Sequence, residues 1–109
     1  MKVPSKQKDA QGGTPVTPAE FRCTLSKPAP AAGLPPALAA LWWAAKGDWN
    51  KAHEIVMDEG SRDAAWVHAY LHRVEGDLGN ARYWYRQAAR SPATGALDAE
   101  WEAIVRALI

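Results

Sequence analysis

The stretch "GDWNKAHEIV" at residues 47–56 returns 29 positions later as "GDLGNARYWY" at residues 76–85. Gly47–Asp48 aligns with Gly76–Asp77, Trp49 with Leu78, Ala52 with Ala81 and Val56 with Tyr85. A glycine at such a point ends one helix by taking positive φ, and the aspartate after it caps the next. The linker is so short that the two helices must lie antiparallel and touching. Ala52 and Ala81 let the facing helix approach closely, and Val56 and Tyr85 fill the seam one turn on. A unit of this kind repeated in one chain predicts stacked helical hairpins.

The remaining pattern extends this reading. "LPPALAALWWAAK" predicts a helix over about 35–46, with a proline in its first turn. Further helices are expected at about 48–58, 62–75, 77–90 and 97–108, with Ser61 as the N-cap of the third. The last carries Leu97, Trp101, Ile104, Val105 and Leu108 on one side and Glu100, Glu102 and Arg106 on the other. No stretch alternates as a strand would. The expected class is all-α: two antiparallel hairpins and a C-terminal capping helix over residues 34–109.

Residues 1–33 hold five prolines, the pair Gly12–Gly13 and few large apolar side chains, so a disordered or loosely docked tail is expected. Within it, Thr17 and Pro18 could open one helical turn, and Phe21 could pin the tail to the domain. The tail carries a net charge of +3 and the remainder −2, too little asymmetry to demand nucleic acid. A single cysteine, Cys23, excludes an internal disulfide framework and points to a reducing, cytoplasmic setting. Lys2 is followed by polar residues, so no secretory leader is expected. Residues 28–45 are uncharged, but their prolines leave an apolar run too short for a membrane span.

The repeat resembles the tetratricopeptide family and its Sel1-like relatives. The resemblance rests on "GDLGNARYWYRQA" and the run "ARYWYRQAA", and covers about residues 35–90. The period of 29 is shorter than the family's, which is about 34. The resemblance implies a non-catalytic module that holds a peptide or partner helix on its inner face. Leu41, Trp66, Tyr70 and Arg73 would line that groove. Two repeats are few for such an array, so the last helix or a second copy of the chain would cover the open edge.

Six tryptophans, all beyond residue 40, predict an aromatic core, with one or two left to line a surface. His68 and His72 are spaced H-x-x-x-H, which places both imidazoles on one helix face and suits zinc or copper, with His53 or Glu75 as a third ligand. Without a further ligand pair in the sequence, packed histidines and no cofactor are the plainer expectation. Arg82, Arg86 and Arg90 would form a basic ridge able to hold phosphate or RNA, or simply a solvated face favoured at a helix C-terminus. No nucleophile–base pair or phosphate loop stands out, and Ser61, Asp63 and His68 share one helix and its cap and cannot converge as a triad. The expected protein is therefore not an enzyme.

Overall fold

The computed structural model describes residues 17–109, so the disordered-tail expectation for residues 1–16 lies outside it. The described elements are α1 (Pro18–Cys23), a 3-10 turn (Thr24–Ser26), α2 (Pro36–Ala45), α3 (Trp49–Met57), α4 (Arg62–Glu75), α5 (Leu78–Gln87) and α6 (Leu97–Leu108). No strand occurs among the described residues, and the chain is all-α as its pattern predicts.

Both Gly–Asp corners are built the same way. Gly47 and Gly76 have φ of 86° and 88°, a region that costs a side-chain-bearing residue dearly. At the first corner the Gly47 N–H donates to Ala44 O at 3.0 Å and the Asp48 N–H to Trp43 O at 3.0 Å. The second repeats this 29 residues on, with Gly76 N–H to Arg73 O at 3.0 Å and Asp77 N–H to His72 O at 2.9 Å. These are the paired bonds of the Schellman motif. The Asp48 and Asp77 carboxylates then accept from the N–H groups of Lys51 and Asn80 and start the next helices. Hairpins α2–α3 and α4–α5 follow, and α3 packs onto α4 to join them.

Helix α6 lies across α4 and α2, with Trp101, Ile104 and Val105 buried. The Trp101 N–H donates to Leu41 O at 2.9 Å, which satisfies a polar group otherwise stranded in the core. Residues 17–27 correct the loose-tail expectation. Thr17 and Glu20 form a reciprocal capping box, and Phe21 is fully buried with its ring 5.8 Å from Trp101. Arg22 reaches Asp98 at 3.0 Å and lies 4.4 Å over the Trp101 ring. The Trp42 N–H donates to Thr24 Oγ1 at 3.1 Å, and Lys46 Nζ donates to Leu25 O at 2.7 Å. Burying one phenylalanine contributes about 1.5–3 kcal/mol, and the Arg22, Trp42 and Lys46 contacts add to it.

One helix end differs from expectation. Helix α5 stops at Gln87 rather than continuing to residue 90, because Ala89 turns to φ 59°. The Ala89 N–H donates to Arg86 O and the Arg90 N–H to Tyr85 O, each at 3.0 Å, so the corner geometry recurs without its glycine. No helix among the described residues is long and apolar enough to cross a membrane.

Candidate metal centre

Helices α3, α4 and α5 bring three histidines and two tryptophans together. His68 and His72, one turn apart on α4, are both buried, and their rings stack with centroids 4.9 Å apart. His53 comes from α3, which the Asp48 cap and the α2–α3 corner hold in place. Its ring stands edge-on to His68 at 4.7 Å, with Nε2 of each 3.0 Å apart. One ligand-capable atom from each of the three residues lies within 4.8 Å of the others.

Indole rings close two sides. Trp49, one turn before His53, stacks flat on it at 4.7 Å and 10°, and the Trp49 N–H donates to Leu71 O at 2.7 Å. Trp84 of α5 stacks on His68 at 3.9 Å and 14°. Glu75 Oε2 lies 2.6 Å from His72 Nδ1. A carboxylate hydrogen-bonded to the second ring nitrogen is the arrangement that orients metal-ligating histidines.

The electrostatics favour neutral imidazoles at His53 and His68. Burial, together with the His53 and His72 rings, lowers the His68 pKa to about 4. Burial and the His72 ring lower that of His53 as well. The 3.0 Å contact between two Nε2 atoms holds only if one carries a proton and the other accepts it. His68 Nδ1 is buried and has no hydrogen-bond partner among the described residues. Such an orphan costs about 1–3 kcal/mol. Separately, a cation held by the Nε2 lone pairs of His53 and His68 would replace the proton they share. Tetrahedral zinc, with Zn–N near 2.0–2.1 Å, sets its ligand nitrogens about 3.3 Å apart, and the three candidate atoms lie within 4.8 Å of one another.

A second set, His72, Glu75 and Asp77, also falls within 4.8 Å. Its carboxylates are exposed, and Asp77 Oδ1 already accepts from Asn80 N. The three imidazoles are therefore the better-built donor set.

The other sequence candidates lie elsewhere. Leu41, Trp66 and Tyr70 are buried, and Arg73 donates to Glu100 Oε1 and Gly95 O, each at 2.6 Å. The expected inner groove is thus filled by α6 and the loop before it, because a two-repeat array must cover its own apolar face. The Tyr85 hydroxyl completes this buried knot by donating to Glu100. The basic ridge is also shortened. Arg82 and Arg86 share exposed α5, while Arg90 leaves the helix and stacks 3.4 Å over the Trp66 ring. Spacing alone singled out His68 and His72. The walls formed by Trp49 and Trp84 were missed. Trp49 carried a signal, standing four residues before His53, whereas Trp84 meets His68 only through the pairing of α4 with α5.

No known family model matches the chain, and neither a curated protein nor a solved structure matches it.

Proposed function

We propose that this protein binds one transition-metal ion of the zinc, copper or nickel class through His53, His68 and His72. The observation that carries the reading is the convergence of three mostly buried imidazoles from two helices, each offering a ring nitrogen within reach of the others. Imidazole suits these metals over calcium or magnesium. Glu75 would orient His72, and Trp49 and Trp84 would exclude water from two flanks. Three protein ligands leave a tetrahedral ion one position for water or an outside donor.

Calorimetric titration of untagged, chelator-treated protein with zinc tests this. One ion per chain is the expected result, with affinity at least about tenfold weaker in His53→Gln and His68→Gln. Nickel or copper should quench the tryptophan fluorescence, since two indoles stack on candidate ligands. A stoichiometry near zero, or unchanged affinity in both variants, rejects the proposal.

The doubled Gly–Asp hairpin also supports reading the chain as a divergent tetratricopeptide-like or Sel1-like array with a protein partner. With α6 lying over Leu41, Trp66, Tyr70 and Arg73, such a partner would need another surface.

A further inference from the structure

The 29-residue repeat shows which surface lacks its counterpart. In the first hairpin, Trp49 and His53 of α3 reach Leu71, His68 and His72 of α4, and Ala52 and Val56 on the same helix are buried. The equivalent positions on α5 are Leu78, Ala81, Arg82 and Tyr85. The described residues form no third hairpin after α5, and α6 turns back onto α1, α2 and α4. The loop through Pro92, Ala93 and Thr94, together with Arg73, borders that flank. Between loop and helix lies an open cavity of about 180 Å³, lined by Leu78, Ala81, Arg82, Tyr85, Pro92 and Ala93. Leu78 is 55% exposed at its edge.

The charge along this stretch of sequence has one sign. Residues 78–97 contain three arginines and no aspartate or glutamate. Arg82 and Arg86 stand one turn apart, exposed, and neither forms an ion pair among the described residues. An exposed leucine beside a cavity sized for one apolar side chain, flanked by two guanidiniums without carboxylate partners among the described residues, calls for a ligand with an apolar knob and nearby carboxylates.

We propose that the α5 flank docks an amphipathic, acidic helix of a partner protein, laid where the next hairpin's first helix would lie. Its apolar residue would enter the cavity beside Leu78, and carboxylates one turn apart would pair with Arg82 and Arg86. The internal α3–α4 contact supplies the packing geometry, and the unbalanced arginines supply the selection for acidic sequence.

The test uses the full chain and a fluorescein-labelled synthetic helix with leucine on one face and glutamate on its flanks. Fluorescence anisotropy should show saturable binding that weakens with added salt. Leu78→Asp and the pair Arg82→Glu/Arg86→Glu should each weaken it about tenfold or more. A peptide with lysine in place of glutamate should not bind wild type and should bind the charge-reversed pair. Because Leu78, Arg82 and Arg86 are exposed, the variants should keep wild-type circular dichroism and zinc titration, so failure here is separable from failure of the metal site. Absence of saturable binding, equal binding by wild type and both variants, or indifference to peptide charge overturns the proposal. So does a wild-type dimer in sedimentation that Leu78→Asp converts to monomer, since the occupant would then be a second copy.

Discussion

Ala89 adopts the left-handed conformation where both other corners of the chain use glycine. A side chain in that region costs roughly 1–2 kcal/mol, partly offset by the lower entropy of an unfolded alanine. Ala89→Gly should therefore stabilise the protein by about 0.5–1 kcal/mol, read as a higher denaturation midpoint at unchanged slope. A second outcome at this scale concerns Glu75. Glu75→Gln keeps the shape of the side chain but weakens its hold on His72 Nδ1, and zinc affinity should fall roughly 10–100-fold with little change in helicity. Tyr70 gives a pH dependence. Burial, with the Glu100 and Asp98 carboxylates, pushes its pKa up to about 12. The unfolded tyrosine loses its proton near pH 10 and the folded one later, so the unfolded state binds fewer protons in between. Stability should be intact below pH 10 and decline from there toward pH 12, and Tyr70→Phe should flatten that limb of a denaturation series. Much of the candidate site was legible at this scale. Two histidines four apart declare one face, and His53 was nameable as a third ligand. Their burial and the stacking of Trp84 were not legible, because both depend on how one hairpin sits against the next.

The helices were the most readable level, since Gly–Asp corners and proline starts act locally. Helix α4 runs over 62–75 and α6 over 97–108, as their patterns predict. Helix α5 ends early for a tertiary reason. Ala88 and Ala89 favour continued helix, but Ala88 is buried and the Arg90 guanidinium stacks on Trp66. The destination of α6 was half visible. Its apolar face announced a cap, but nothing local told that Glu100 would meet Arg73 and Tyr85. That buried carboxylate is the anchor of the element. Glu100→Gln leaves the Arg73 guanidinium without its counter-charge, and breaking such a pair costs about 3–5 kcal/mol. Thermal denaturation followed by circular dichroism should show a melting point lower by at least about 10 °C. Zinc binding at the other face should survive wherever the variant remains folded.

At the scale of the whole molecule, a metal ion at the proposed centre would tie α3 of one hairpin to α4 of the other. Ligand that binds only the folded state at a hundredfold excess over Kd adds about 2.7 kcal/mol. Zinc should raise the melting temperature of wild type by roughly 10 °C or more and leave the His53→Gln/His68→Gln double variant almost unmoved. The first and last described helices are bound into the same arrangement. Phe21 and Arg22, near the start, find their partners Trp101 and Asp98 on the final helix. On a ribosome the hairpins can close as soon as each corner emerges, because their contacts are near neighbours in sequence. The opening helix cannot. It is made before the other described helices and secured after them, because until residue 101 leaves the exit tunnel the ring of Phe21 has no seat against α6.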